Sequence, residues 1–392
     1  MRRLQVLGLG GDTGGIMQYK FVKSGPGSQA NVQRVTTRHP LIGPGVVGRN
    51  TRLQGHEEAP RYSDDLVRFD RIRHGYTPGD DSFVIEHMQY DKEVLTIGGT
   101  LLLEWLRRTI DDIMICVLAG ITLDMSPHGI LRNDLFKTAN LPDYLKNAKF
   151  QWEKLLFNDD ITPPSSNRFA TLIRDASGAA DLGIGEGSDT LTANDTITLD
   201  HFMLMREALV DRDIQPIDAG ANPSVPIQLG AQTYVAIVSD AVMTELKMDA
   251  DFKKASYQCW PRSERHPAFA GSDMIAIDGF LIMSDRLAPT TRLAEIGARY
   301  GKDRDLHGNQ ILVLGAGALS VAEATPAFAT EEQDYKDIQG IGMAAKIGFK
   351  KNRIKTDISS SATDNFTEQD RGVMSFFVAN KKQKRYNKRI AA

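Results

Sequence analysis

Few residues in this chain are spaced as chemistry would require. ILVLGAGALS sets Gly315 and Gly317 directly after an apolar run. Dinucleotide-binding turns are built this way, with backbone N–H groups freed for a pyrophosphate at a helix N-terminus. The sixth position is Ser320 rather than Gly or Ala, and no strand ending in an acid follows about 20 residues on. The preferred reading is a packed strand and turn of small residues. A soluble α/β nucleotide-binding enzyme using the Gly315–Gly317 turn is the alternative. LGIGEGSDTLTAND gathers Glu186, Asp189 and Asp195 among glycines. It lacks the D-x-[DN]-x-[DN]-G order of a calcium loop and reads as a solvated loop. The histidines, His39, His56, His74, His87, His128, His201, His266 and His307, are scattered. No G-x-S-x-G, P-loop or kinase set occurs. Cys116 and Cys259 are the only cysteines, which gives neither a disulfide framework nor metal-ligand spacing. No acid, base and nucleophile assemble, so no catalytic, cofactor or metal residues are expected. The expected role is binding or structural.

The strongest element is Asp91 to Leu118, DKEVLTIGGTLLLEWLRRTIDDIMICVL. Glu104, Arg107, Arg108, Asp111 and Asp112 recur at helical spacing and mark one face. Leu102, Trp105, Leu106, Ile110, Ile113 and Val117 mark the other. Glu104 stands four residues before Arg108, the supportive direction for an ion pair. At about 1.5 Å per residue such a helix is roughly 40 Å long, a strut suited to a wide, thin plate. Gly98 and Gly99 sit inside it. Either the helix begins after them, near Thr100, or they form a hinge, since adjacent glycines are a recognised cause of kinks.

Other elements read more locally. Val67 and Phe69 alternate with Arg68 and Asp70 as a strand does. Tyr144 to Phe157 reads as a helix. Leu199 to Val210 reads as another, capped by Thr198 or Asp200. TYVAIVS is a buried strand followed by a short helix, Ala241 to Lys247. MIAIDGFLIM is two strands turning at Asp278–Gly279. GIGMAAKIGFKKNRIKT and GVMSFFVAN are strand-like.

The 392 residues allow two or three domains, and no run approaches the roughly 18 apolar residues of a membrane span. Net charge is −3, unevenly spread. Residues 1–54 hold eight Lys or Arg against one acid, and residues 371–392 hold seven against none, leaving −17 between them. Basic ends around an acidic middle suggest an anionic partner.

GHEEAPRYSDDLVRFDRIRHGYT, followed by the long helix ending DDIMICVLAG, resembles the major capsid proteins of tailed phages of the N-four type. These are built on the Hong Kong 97-type capsid fold. The resemblance extends more loosely over the helix from Leu199, TYVAIVSDAVMTEL, ILVLGAGAL and the closing strands. It implies an α+β fold with an N-terminal arm (1–38), an extended β-hairpin loop (39–78) and a peripheral domain with the spine helix (79–120). An insertion (121–197) and a peripheral helix (198–214) come next. An axial α/β domain (215–339) precedes the peripheral sheet and basic tail (340–392). The implied role is self-assembly into hexamers and pentamers of an icosahedral shell around double-stranded DNA, without catalysis, cofactor or membrane. Scaffold, portal and decoration proteins are the implied partners. The location is the virion, assembled in the bacterial host cytoplasm. Three groups of residues carry expectations. Glu57, Glu58, Arg68, Asp70, Arg71 and Arg73, dense in both signs, are expected to contact a neighbouring subunit. Gly98 and Gly99 are the helix hinge. Lys381, Lys382, Lys384, Arg385, Lys388 and Arg389 form a basic tail facing DNA or an acidic scaffold. The insertion 121–197, whose Gly/Ser/Asp-rich end lacks apolar periodicity, is expected to be a surface embellishment rather than core.

Overall fold

A computed structural model of the protein describes residues 17–21, 32–38, 62–76, 91–134, 151–175, 177–217, 233–259, 274–333, 338–356 and 367–381. Two sheets organise these residues. The first contains β1 (Met17–Phe21), β4 (Asp70–Tyr76), β11 (Leu319–Glu323), β12 (Ala327–Gln333) and the long β13 (Ile338–Lys351). β11 and β12 follow one another along one edge of β13, and β4 covers the other edge in antiparallel register, Asp70 to Tyr76 against Ile347 to Ile341. β1 lies parallel to β11. A separate ribbon pairs β2 (Val32–Arg38) with β3 (Tyr62–Arg68), and another pairs β14 (Arg353–Thr356) with β15 (Thr367–Asp370). The hairpin expected within 39–78 therefore takes one of its strands from the N-terminal arm.

The second sheet has the order β6-β5-β16-β10-β7-β9-β8. Its strands are β5 (Phe169–Arg174), β6 (Ala180–Ile184), β7 (Tyr234–Val238), β8 (Met274–Ile277), β9 (Phe280–Ser284), β10 (Gly308–Leu314) and β16 (Val373–Ala379). The central strands are apolar at successive positions because both faces are covered. Val235, Ile237, Leu281, Met283, Leu312 and Leu314 enter the core shared with the spine helix. Tyr234, Ala236, Phe280, Ile282, Ile311 and Val313 enter a second core on the opposite face. That second core is closed by α2 (Leu199–Asp211) and α3 (Asp240–Met248) through Phe202, Met205, Leu209, Val242 and Leu246. Asp278 and Gly279, with φ of 43° and 80°, make the tight β8–β9 turn that Asp-Gly favours.

The spine is α1 (Asp91–Ala119), 29 residues. It packs on β13 with Leu102, Leu106 and Ile110, the stripe expected from spacing. From Ile113 to Ala119 it is buried all round, because the second sheet covers its other side. The helix runs unbroken through Gly98 and Gly99, so it does not begin at Thr100. Gly98 has a packing reason: a Cβ there would lie 2.6 Å from Tyr76 Cδ1 and 2.8 Å from Ile341 Cγ2. At Gly99 the nearest atom would be Ile341 Cδ1 at 3.8 Å, an ordinary contact.

Several expectations change. The segment 121–197 is not a surface embellishment. β5 pairs parallel with β16 and antiparallel with β6, and Leu123, Leu155, Phe157 and Ile161 are buried in the spine core. The short apolar spacing here belongs to an irregular segment plugging a core, so a helical or loose reading misassigned it. Of the helix expected at Tyr144 to Phe157, the described part holds a 3-10 turn at Trp152–Lys154. Asp195 is buried rather than solvated. Its carboxylate accepts from Arg174 N, Thr192 N and Thr192 Oγ1 at 2.9, 2.6 and 2.8 Å. The two sheets also cut across the expected chain blocks: β11 and β12 join the sheet under the spine, and β16 joins the other sheet.

Candidate assembly surface

The Gly315–Gly317 turn offers no phosphate cradle. β10 leads into β11, a strand, so no helix N-terminus follows the glycines. Gly315 N donates to Gly372 O at 2.8 Å and Ala316 N to Gln215 O at 2.9 Å. A Cβ on Gly315 would lie 2.4 Å from Gln215 O. The small residues thus let neighbouring backbone close over the turn, and the donors a pyrophosphate would need are occupied. Among the described residues no cluster of His, Cys, Asp or Glu could hold a metal ion. No helix among them is long and apolar enough to cross a membrane.

Of the charged residues expected at a neighbour's surface, Glu57 and Glu58 lie outside the described residues. Arg68 and Asp70 are engaged within the chain. Arg68 Nε stands 3.7 Å from Asp160 Oδ2. Asp70 Oδ2 accepts from Leu156 N at 3.3 Å. Arg71 and Arg73 are exposed on β4, with Ile72 turned into the core between them. They are held in place by the β4–β13 register, which sets them opposite Lys346 and Ala344. In the tail, Lys381 is exposed and its N–H donates to Glu245 Oε1 at 2.7 Å. Lys382, Lys384, Arg385, Lys388 and Arg389 lie outside the described residues.

Two buried ion pairs were not legible from spacing. Arg132, 3% exposed, donates from Nη1 and Nη2 to both oxygens of Asp112 at 2.7 and 2.8 Å and from Nε to Leu123 O at 3.0 Å. Its guanidinium lies 4.4 Å over the Trp152 ring. This pins the segment after the spine back onto the helix. The neighbouring Cys116 thiol is pushed up to about 12 by burial, with the Asp112 charge adding to it, so it stays protonated and unreactive. At the other pair, Lys351 Nζ stands 3.2 Å from Asp370 Oδ2, with side chains 3% and 1% exposed. Asp370 Oδ2 also accepts from Ser165 N, and Ser165 Oγ accepts from Asp370 N. Lys351 ends β13, and Asp370 precedes β16, so this pair ties the two sheets together. Only the acids Asp111–Asp112 near the helix end hinted at the first site. Nothing local marked the second.

His201 is a buried capping group. Its Nδ1 accepts from Thr198 N at 3.0 Å, and its Nε2 donates to Ile173 O at 3.1 Å. It thus fills the third-residue place that Glu or Gln takes in a capping box. Burial pulls its pKa below the ordinary value of 6.5. The unfolded chain therefore binds the proton more readily than the folded one. The His201 contribution is fully present above about pH 6.5 and is lost as pH falls through the lowered value. Urea midpoints measured from neutral to acid pH are expected to fall below that point. His201→Gln, which cannot take up the proton, is expected to flatten the fall.

No family model matches the chain. It is 25% identical over 344 residues to the major capsid protein of Pseudomonas phage KPP25, covering 86% of this chain and 81% of that one. Among solved structures it is similar to the capsid of Ralstonia phage GP4, with TM-score 0.63 and 18% identity over 95% of this chain and 90% of that one. The capsid asymmetric unit of cyanophage Pam1 aligns with TM-score 0.58 and 16% identity, covering 97% and 93% of the two chains. The fold is the Hong Kong 97-type α+β capsid fold, as the resemblance implied.

Proposed function

We propose that this chain is the major capsid protein of a tailed phage, a structural subunit that assembles with copies of itself into a virion shell. The observation that carries this is the agreement between a sequence relative spanning most of the chain and a capsid fold spanning nearly all of it. A role of this kind is structural rather than enzymatic, in keeping with a closed glycine turn. In the finer reading, hexamers and pentamers close an icosahedral shell around double-stranded DNA in the host cytoplasm, with scaffold, portal and decoration proteins as partners. The basic ends, +7 each, meet DNA or an acidic scaffold by nonspecific, salt-dependent contact. Electron microscopy of the purified protein tests the reading. Shells or capsomers are expected. Rings or tubes would point to a portal or tail subunit, and small oligomers that bind nucleotide would point to an enzyme.

Arg71 and Arg73 are the residues through which β4 meets a neighbouring subunit. They are exposed, rigidly placed and close together. Exposed pairs contribute only about 0–1 kcal/mol each, but many copies act together in a shell. Arg71→Glu with Arg73→Glu is expected to leave the melting temperature near wild type and to abolish assembly. Normal shells from that variant would remove β4 from the interface.

A hinge at the paired glycines is also proposed, in which the spine changes curvature as the shell matures. Because Gly98 is needed for packing, Gly99→Ala is the informative variant. It fits sterically and adds roughly 1 kcal/mol of helix propensity. Straightened spines are expected to change the precursor diameter, read before and after DNA packaging. Diameters equal to wild type at both stages would leave Gly99 without a hinge role.

A further inference from the structure

β12 is held by a single neighbour among the described residues. It pairs with β13 in unbroken antiparallel register, Ala327 to Gln333 against Ala344 to Ile338. No described strand pairs with its other edge. A strand laid on a core hides every second side chain. Here Ala327, Phe328, Ala329 and Thr330 are all exposed, Phe328 at 45%. An open edge of this kind is ordinarily guarded by a lysine, a proline or a bulge. The Ala327–Thr330 half carries no charge and no proline, and its register with β13 has no bulge. Nothing in that half repels another strand.

We propose that β12 pairs with β12 of a second copy, antiparallel across a two-fold axis, so that one sheet runs through two subunits. The charge pattern of the strand selects this occupant. A two-fold through Thr330 engages the whole strand. It sets Thr330 opposite Thr330, Ala329 opposite Glu331, Phe328 opposite Glu332 and Ala327 opposite Gln333. No charge then stands directly opposite a like charge, an arrangement that would destabilise the pair. β4, on the other side of β13, fails the same test. A two-fold through its middle residue sets Arg73 against Arg73. Pairing through β12 is isologous, so it joins two subunits and closes on itself. Main-chain hydrogen bonds supply the attraction, as wherever a strand is added to a sheet edge. The inference rests on the proposed capsid role for the identity of the partner, a copy of this chain, and adds where two copies join.

Cysteine crosslinking tests it on the full-length chain, in whatever state the protein is recovered. Thr330 meets its own counterpart with Cα atoms about 4.5–5.5 Å apart, within the span of a disulfide. The side chain is exposed, so Thr330→Cys leaves the subunit folded. Under mild oxidation this variant is expected to give covalent dimers about tenfold above wild type, whose Cys116 and Cys259 set the background. Ala327→Cys alone places its two copies about 20 Å apart along the paired strands and is expected to stay at background. Ala327→Cys with Gln333→Cys is expected to crosslink, because those positions face each other. Background yields from Thr330→Cys, or equal yields from Thr330→Cys and Ala327→Cys, would overturn the proposal. Electron microscopy of the same samples separates this contact from the capsid role. Shells without Thr330 dimers remove the contact and leave the role. Thr330 dimers without shells keep the contact and count against the role.

Discussion

Arg132→Ala is expected to destabilise the subunit by about 3–5 kcal/mol, the range for removing one partner of a buried ion pair. The guanidinium holds both Asp112 oxygens, the Leu123 carbonyl and the face of Trp152 at once. Its loss leaves the Asp112 carboxylate facing a cavity, beside a thiol that cannot share its charge. Asp112 is 19% exposed, so water reaches part of it and the lower end of the range is expected. Replacing both partners, Asp112→Leu with Arg132→Met, should cost less than Arg132→Ala alone, because desolvation of both charges is removed together. Urea denaturation of the wild type and both variants measures this. A double variant less stable than Arg132→Ala would show that packing of the guanidinium, not pairing of charge, dominates.

Gly348→Ala is expected to cost about 3 kcal/mol, the upper end for overpacking a close contact. The corner between β3 and β4 crosses directly over β13 at this residue. A Cβ would meet Arg68 O at 2.2 Å and Phe69 Cα at 2.8 Å, both backbone atoms that no rotamer change can move. Either the corner lifts, uncovering Val67 and Phe69 from Ala322, or β13 loses its register with β11 at the Gly348–Ala322 pair. The two outcomes separate by hydrogen exchange. A lifted corner exposes amides of β3 and leaves β11 protected. Wild-type stability and exchange at both strands would mean that the crossing is looser than its geometry indicates.

How far the fold was legible follows from periodicity. The spine, α2, α3, β7 and the β8–β9 turn each carry their signal within one short stretch, and each forms where expected. The glycines at 98 and 348 are different, because their reason lies in Tyr76, Ile341 and Arg68, far away in the chain. The segment 121–197 misled because its buried residues, Leu123, Phe157 and Leu172 among them, follow neither a helical nor an alternating repeat over any long window. Nothing beside Arg132 or Lys351 in the sequence marks them as buried, because their partners Asp112 and Asp370 lie 20 and 19 residues away. Alternation carried on from Val67 and Phe69 would turn Arg71 and Arg73 inward; they are exposed because the chain turns a corner at Phe69 between β3 and β4, after which Ile72 is the buried residue.

The position of β16 bears on how the subunit is made. This strand lies inside its sheet, with β10 on one side and β5, from more than 190 residues earlier, on the other. Until it arrives, β5 and β10 each present an open edge of unpaired backbone groups, and the cores on both faces stay incomplete. Such pairing between distant segments is slow and leaves the nascent chain prone to association by the wrong surfaces. The sheet therefore closes only once β16 has been made. A chaperone that shields the edges of β5 and β10 would act until β16 is in place.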